Sequence, residues 1–244
     1  MAFYSAYRLH APLQHGKPLS QEASQRIVAN TAEFFQQAAS GGVPKMKPTG
    51  EAGIDAAIPA MNAFSQDLFG YLNRMEDEID ALHREDVFSI SILSKEAIMT
   101  SEIRKAVASQ NIIERYKSGF QPMIEAALTK YGKLRTSGES TTGARGLKGI
   151  RESVNAQVPR YDEMFSIRLR RQKAELDFLR FMQDAFSDYQ FAGKVISFKT
   201  PSNKKRYQEL VQAIDDAGTA AAELKKRQTE AVEAAKAQIQ SLAH

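Results

Sequence analysis

The chain lacks several residues and patterns that would point directly to a chemistry. Its 244 residues include no cysteine, no tryptophan and only four histidines. Without cysteine there can be no disulfide, no thiolate nucleophile and no cysteine-ligated zinc or iron–sulfur site. This absence suits the bacterial cytoplasm and the periplasm equally well, so it leaves the compartment open. No apolar run approaches the ~18 residues that a membrane-spanning helix needs.

The composition is that of an ordinary soluble protein, with 43% hydrophobic and 25% charged residues. Lysine and arginine total 33 against 29 acidic residues, which gives a formal charge of +4. Because this small excess is spread along the chain, a solvated surface of mixed charge explains it, and nucleic acid is not a predicted partner. The start of the chain is too short and too polar for a signal peptide. We therefore expect either a cytoplasmic protein or one whose leader or anchor lies outside this chain.

Glycine and proline divide the chain into two predicted parts. Residues 1–53 are expected to be irregular, apart from one short helix that is N-capped by Ser20 and runs to about Ala39. This part ends in a linker at 41–53, which holds four glycines and two prolines. Residues 54–244 are predicted to form a helical bundle.

The first helix of the bundle is predicted from apolar residues spaced three and four apart. They are Ile54, Ile58, Met61, Leu68, Leu72, Met75, Ile79 and Leu82. This spacing keeps one face toward a partner, as in a coiled coil or a bundle. Residues 87–93 alternate like a strand, but we interpret them as helix because an apolar helical stripe continues beyond them. The charged residues 83–86 form either a turn or the solvated part of one bent helix.

Three breaks are expected in the helices that follow. Gly119 and Pro122 interrupt or kink the first of them. A flexible loop is predicted at about 133–149, because four glycines and several small hydroxyl residues leave that stretch little helix propensity. Pro159 marks the place where the next long helix begins.

The last third of the chain has the pattern of two long helical arms, 160–190 and 203–243, joined by an apolar elbow at 191–201 that is extended in character. Arms of this length cannot bury their apolar stripes alone, so they need partner helices along their span. We therefore predict an all-α fold, an elongated antiparallel helical bundle with a long C-terminal helical hairpin. The second arm thins to alanines, which bury little area, so we expect its end to be the least stable part or to be completed by another chain.

No pattern predicts catalysis, a cofactor or a metal. The nearest match to a carboxylate–histidine metal motif is Asp80-Ala-Leu-His83 with Glu76 one turn earlier, and it occurs only once. A solvated acidic helix face explains it better. The chain has no Gly-x-Ser-x-Gly elbow and no Walker loop, so we predict that it is not an enzyme.

The candidate contact residues are apolar and basic. They are Phe191, Val195, Ile196, Phe198, Lys204, Lys205 and Arg206. The four apolar residues can either insert into a membrane or cap the end of the bundle. The three cations fall in the first turn of a helix, where they oppose the helix dipole, and this favours a role in binding anionic lipid or an acidic partner. A second basic cluster at 168–173 is interleaved with acidic residues, which indicates intrahelical ion pairs.

The segment from Val195 to Leu210 carries a family resemblance. It has an apolar Ile-Ser-Phe, a Thr-Pro-Ser turn and a helix that opens with Tyr207-x-x-Leu210. In these features it resembles the closing segment of small uncharacterised helical lipoproteins of the bacterial envelope. The resemblance implies an envelope location and no known activity, although the chain has no lipobox cysteine. It favours the periplasm over the cytoplasm.

We therefore expect a non-enzymatic structural or protein-interaction bundle of the bacterial cell envelope, which binds a protein partner or a second copy of itself. The alternative is a membrane-surface or membrane-active helical protein that uses the apolar elbow and the adjacent basic residues to contact anionic lipid.

Overall fold

The computed structural model describes residues 21–39, 42–50, 55, 58–135, 141–193 and 195–242. The helices of this part are α1 (Gln21–Ala39), α2 (Ile58–Asp80), α3 (Ile90–Leu93), α4 (Glu96–Arg135), α5 (Thr141–Asp184) and α6 (Pro201–Leu242). Two strands, β1 (Tyr189–Ala192) and β2 (Val195–Phe198), form an antiparallel hairpin. The predicted all-α helical bundle is confirmed. None of the helices, over the residues described, is both long and apolar enough to cross a bilayer.

The chain forms two compact units, and each unit is assembled from separate stretches of sequence. The first unit comprises residues 1–73, 119–161 and 225–244, and the second comprises 74–118 and 162–224. Four helices, α2, α4, α5 and α6, contribute residues to both units. The boundary predicted at residue 53 falls inside the first unit and stays a prediction. The proposed N-cap Ser20 lies outside the described residues.

In the first unit, the segment 42–50 is non-helical and is held by side-chain hydrogen bonds. Asn62 of α2 accepts from the backbone N–H of Met46 at 2.7 Å and donates to its carbonyl at 2.9 Å. The carboxylate of Asp55 accepts the N–H and the hydroxyl of Thr49 at 2.6 and 2.8 Å. These hydrogen bonds hold the pKa of Asp55 below its ordinary value. A linker that was predicted from composition alone is therefore anchored at several points.

The second unit has its own apolar core, formed where the helices and the hairpin meet. Its fully buried members include Ile92, Leu93, Met99, Ala106, Phe178, Leu179 and Met182. The Tyr189 hydroxyl of β1 donates to the backbone carbonyl of Leu93 at 2.6 Å, which ties the hairpin to α3. Burial raises the pKa of Tyr189 to about 12, which favours the protonated hydroxyl that donates this hydrogen bond.

The prediction of a flexible loop at about 133–149 is wrong for those of its residues that the structure describes. Helix α4 continues to Arg135 and α5 already begins at Thr141, while 136–140 lie outside the described part. Glycine costs only about 1 kcal/mol in a helix interior, and a long helix can offset this cost. Helix propensity was therefore a weak guide here.

Neither Gly119 and Pro122 nor Pro159 interrupts a helix, because α4 and α5 run through them. Both prolines are exposed, and Phe120 and Ile124 on either side of Pro122 are buried. Packing of such neighbours offsets the hydrogen bond that a proline removes. A Cβ atom at Gly119 would lie 2.5 Å from the Tyr71 hydroxyl, so the glycine leaves room for the Tyr71 side chain of α2, which any other residue would displace.

Residues 83–93 combine two of the predicted alternatives. The charged segment 83–86 is a non-helical loop between turns at 81–82 and 87–88, so the alternative of one bent helix is wrong. Val87 and Phe88 form a turn, and only Ile90–Leu93 is helical, so the helix prediction for 87–93 is right for its second half. The first of the two predicted long arms, 160–190, ends earlier than predicted. Its helix, α5, ends at Asp184, because Tyr189 and Gln190 belong to β1.

Candidate functional sites: the hairpin groove and the polar cleft

The β-hairpin presents one apolar face to the core of the second unit and one face to solvent. Tyr189 pairs with Phe198, and Phe191 pairs with Ile196. These four residues are buried or half-buried, whereas Gln190, Ala192, Val195 and Ser197 between them are exposed. The alternation follows from the two-residue period of a strand. The elbow predicted as extended is therefore a half-buried hairpin.

Aromatic contacts fix the hairpin onto the bundle. The ring of Phe198 lies 5.3 Å from Tyr207 and 5.7 Å from Tyr189, measured between centroids, and Phe191 meets Tyr189 edge-on at 5.9 Å. Phe191, Ile196 and Phe198 thus pack against the core, which is the bundle-capping arrangement considered from sequence. Val195 alone of the four predicted apolar contacts points away, with 66% of its surface exposed.

Asp188 joins the hairpin to the start of α6. Its carboxylate accepts the Thr200 hydroxyl at 2.6 Å, the Asn203 amide at 3.0 Å and the Thr200 N–H at 3.3 Å. The backbone N–H of Lys199 donates to the Asp188 carbonyl at 2.9 Å. The hydrogen bond from the Thr200 hydroxyl is the main cause that lowers the pKa of Asp188.

The predicted basic contacts are exposed at the beginning of α6. Arg206 pairs with Glu209 at 3.2 Å, whereas Lys204 and Lys205 form no ion pair within the part of the chain that is described. In the second basic cluster, Arg171 pairs with Glu175 one turn along α5 at 2.9 Å, which confirms the predicted intrahelical pairing there. Arg168 instead pairs with Glu76 of α2.

An apolar groove of about 280 Å³ lies beside the hairpin, in the second unit. It is lined by Phe88, Ile90, Phe191, Ile196, Tyr207, Val211 and Asp215. Phe88 and Ile90 are 36% and 41% exposed, and with Val195 they are the exposed large hydrophobic residues of the described chain. Phe88 and Ile90 are not among the contact residues predicted from the sequence. The available signal was the apolar content of 87–93, because Val87, Phe88, Ile90, Ile92 and Leu93 cannot all lie on one face of the segment.

A larger, polar cleft of about 960 Å³ also lies within the second unit. Its walls come from the end of α2, the 83–88 loop, α4, α5 and α6. Its lining includes Glu76, Asp80 and His83, the residues weighed as a metal motif. The described residues contain no group of histidine and carboxylate ligands arranged to hold a metal ion. Glu76 is paired with Arg168, which explains the motif as part of an ion-pair surface.

The inner wall of the polar cleft is a buried ion-pair network around Glu175. Its carboxylate accepts from Arg84 at 2.9 Å, from Arg171 at 2.9 Å and from Gln172 at 3.4 Å. Arg84 also donates to the Gln172 amide oxygen. The side chains of Arg84 and Glu175 are only 12% and 9% exposed. No sequence pattern predicts this network, because Arg84 and Glu175 are 91 residues apart in the chain.

The 83–88 loop is held in place against α4 and α5. Lys105 donates to the carbonyl of His83 at 3.1 Å and pairs with the buried Glu102 at 2.7 Å. His83 has a positive φ of 46°, which non-glycine residues adopt only rarely. The loop positions Arg84 on Glu175 and Phe88 beside the hairpin, so it contributes to both the cleft and the groove.

Comparison of the chain with protein-family models, with curated proteins and with solved structures gives no match. The resemblance to envelope lipoproteins therefore stays a prediction.

Proposed function

We propose that this protein is a non-enzymatic interaction module, which binds another protein chain through the apolar groove beside its hairpin. One observation carries the proposal. Two of the three exposed large hydrophobic residues of the described chain, Phe88 and Ile90, line this one groove together. Exposed apolar residues that are clustered, and not scattered singly, are typical of interaction surfaces.

The size and chemistry of the groove favour a protein partner. A volume of about 280 Å³ is at the low end for small-molecule pockets, and it suits a few apolar side chains. Aromatic residues such as Phe88 and Tyr207 are the types that anchor protein interfaces. Lys204 lies one turn before Tyr207 on α6, so a partner with acidic residues beside its apolar anchor would be complementary.

The experiment separates self-association from binding to a different protein. Light scattering after size exclusion, over a concentration series, measures self-association of the wild type and of the double variant Phe88→Ser, Ile90→Ser. A photo-crosslinking residue at position 90 then reports contacts with other chains in the source cells. The control is the same crosslinker at position 222, an exposed alanine of α6 outside the groove.

We expect either concentration-dependent oligomers that the double variant abolishes, or a specific crosslinked product at position 90 that is absent at position 222. A strict monomer that also gives no position-specific crosslink would refute the proposal.

The second candidate is a membrane-surface protein of the bacterial envelope, and the specific observation in its favour is that Val195, Lys204 and Lys205 are all exposed. Flotation with vesicles that contain anionic lipid tests it. The protein would have to float with anionic vesicles, not with neutral ones, and lose binding in Lys204→Glu, Lys205→Glu. Absence of flotation at low salt rejects this candidate without affecting the protein-partner proposal.

A further inference from the structure

The polar cleft of the second unit contains open space because α6 carries small residues where it forms the wall. Gly218 and Ala221 line the cleft, and a Cβ atom built at Gly218 meets nothing within 4 Å. The volume of about 960 Å³ lies within the range of small-molecule binding sites. Apolar side chains, including Ile113, Ile167 and Ile214, complete the walls.

Two buried polar atoms of the lining have no hydrogen-bond partner in the described part of the chain. The Ser109 side chain is fully buried, and its Oγ is unpaired. Arg84 uses both terminal nitrogens, for Gln172 and Glu175, but its Nε–H remains unpaired. A buried polar group without a partner costs free energy, so a ligand group that displaces the atoms covering Ser109 Oγ or Arg84 Nε and bonds to it recovers that cost.

Charge is distributed unevenly between the inside and the mouth of the cleft. The Glu175 carboxylate is shared by the buried Arg84 and by Arg171, whose side chain is 55% exposed, so these three groups together carry one positive charge. At the mouth, the exposed carboxylates are Asp80, Glu85, Asp86 and Asp215. Asp80 and Asp215 form no ion pair with any described residue. The cleft therefore combines inner hydrogen-bond donors with outer negative charge.

We propose that this cleft is a binding site for a small zwitterion of the amino-acid type, a free amino acid or a short peptide with an apolar side chain. The carboxylate of the ligand accepts from Arg84 Nε and the Ser109 hydroxyl, and its ammonium group faces the carboxylates at the mouth. Charge-assisted hydrogen bonds to guanidinium suit a carboxylate, and the apolar walls accommodate an aliphatic side chain.

The test uses probes that differ by one charged end. Isothermal titration of the whole protein is carried out with L-leucine and with L-leucyl-L-leucine, which distinguish a free amino acid from a peptide. The analogues are 4-methylpentanoate, which lacks the amine of leucine, and 3-methylbutylamine, which lacks its carboxylate. We expect at least one of the two zwitterions to bind at least tenfold more tightly than either analogue.

Two variants locate the binding in the cleft. Gly218→Leu fills the cleft without a clash at Cβ, and we expect it to weaken binding at least tenfold while the thermal midpoint does not fall. The control Ala222→Leu places the same side chain at an exposed position of the same helix and should leave binding unchanged. Ile90→Ser, which alters the apolar groove, should also leave it unchanged, so this proposal can fail independently of the proposed function.

Ser109→Ala provides a readout that a purely structural serine would not give. Because its hydroxyl is unpaired, its removal should raise or preserve the thermal midpoint of the free protein and still weaken the zwitterion at least tenfold. The proposal is overturned if neither zwitterion binds, if a one-ended analogue binds as tightly as leucine and leucyl-leucine, or if Gly218→Leu and Ser109→Ala bind like the wild type.

Discussion

Glu175 shows how strongly the position of a single charge determines its energetic role. It is buried, and two arginines share its carboxylate, whereas the otherwise similar pair of Arg206 and Glu209 is about half exposed. An exposed pair gains little because water screens both charges. A buried charge whose partner is removed keeps its full desolvation cost.

We predict that Glu175→Ala lowers the free energy of unfolding by about 3 kcal/mol, because it leaves Arg84 buried without a carboxylate. The matched control Glu209→Ala should cost less than about 1 kcal/mol. Urea unfolding followed by far-UV circular dichroism measures both values. Equal effects of the two substitutions would contradict the assignment of Glu175 as the centre of a buried network.

Asp188 gives a prediction for the dependence of stability on pH. Its pKa in the folded protein is lowered from 3.8, mainly by the hydrogen bond from Thr200, so the ionised form is favoured by folding. A lowered pKa contributes stability that is complete above the ordinary value and is lost as the pH falls through the folded value. Asp188→Asn should therefore destabilise the protein at neutral pH, and the difference from the wild type should shrink as the pH falls below about 4.

The measurement is the free energy of unfolding at a series of pH values between roughly 7 and 3. Asp184→Asn serves as the control, because Asp184 is an exposed carboxylate near the end of α5 with no hydrogen bond or ion pair to a described residue. A gap between wild type and Asp188→Asn that stays constant over the whole range would show that the carboxylate does not act through its ionised form.

At the scale of elements, two glycines have opposite roles. Gly193 follows β1 in the hairpin and has a φ of +64°, which side chains with a Cβ atom adopt only with strain. Gly218 lies inside α6, where glycine is a poor helix former. In both cases a Cβ atom meets nothing within 4 Å, so the backbone alone decides the effect of a substitution.

We predict that Gly193→Ala destabilises the protein by about 1 kcal/mol, whereas Gly218→Ala stabilises it by up to about 1 kcal/mol. Urea unfolding of the two variants side by side provides the comparison, and each variant is the control for the other. If Gly193→Ala leaves stability unchanged or raises it, the left-handed turn at Gly193 is not required by the hairpin.

The whole molecule shows which features the sequence could predict. Apolar residues at helical spacing correctly indicated an all-α bundle, and the extended character of 191–201 indicated a break between two long helices. The start of α5 at Thr141 and the helical Pro159 were missed, because propensity is local and tertiary packing can override it. The polar cleft was missed for a different reason. It depends on residues such as Arg84, Ser109 and Gly218, which come together only in the folded chain.

The division into two units leads to a prediction about cooperativity. Leu68 is buried in the first unit and Leu179 in the second, and changing either one to alanine should cost about 2–5 kcal/mol. Helices α2, α4, α5 and α6 each supply residues to both units, and helix formation is cooperative along a chain. Loss of one unit would therefore leave four helices truncated in the other.

We accordingly expect a single unfolding transition, which both Leu68→Ala and Leu179→Ala move to lower urea concentration. Far-UV circular dichroism measures the overall transition, and hydrogen exchange of peptides from each unit measures the two cores separately. If the exchange of one unit accelerates in its own variant while the other unit keeps its wild-type protection, the units unfold independently. In that case each core is stable on its own, and continuity of the four helices does not couple them.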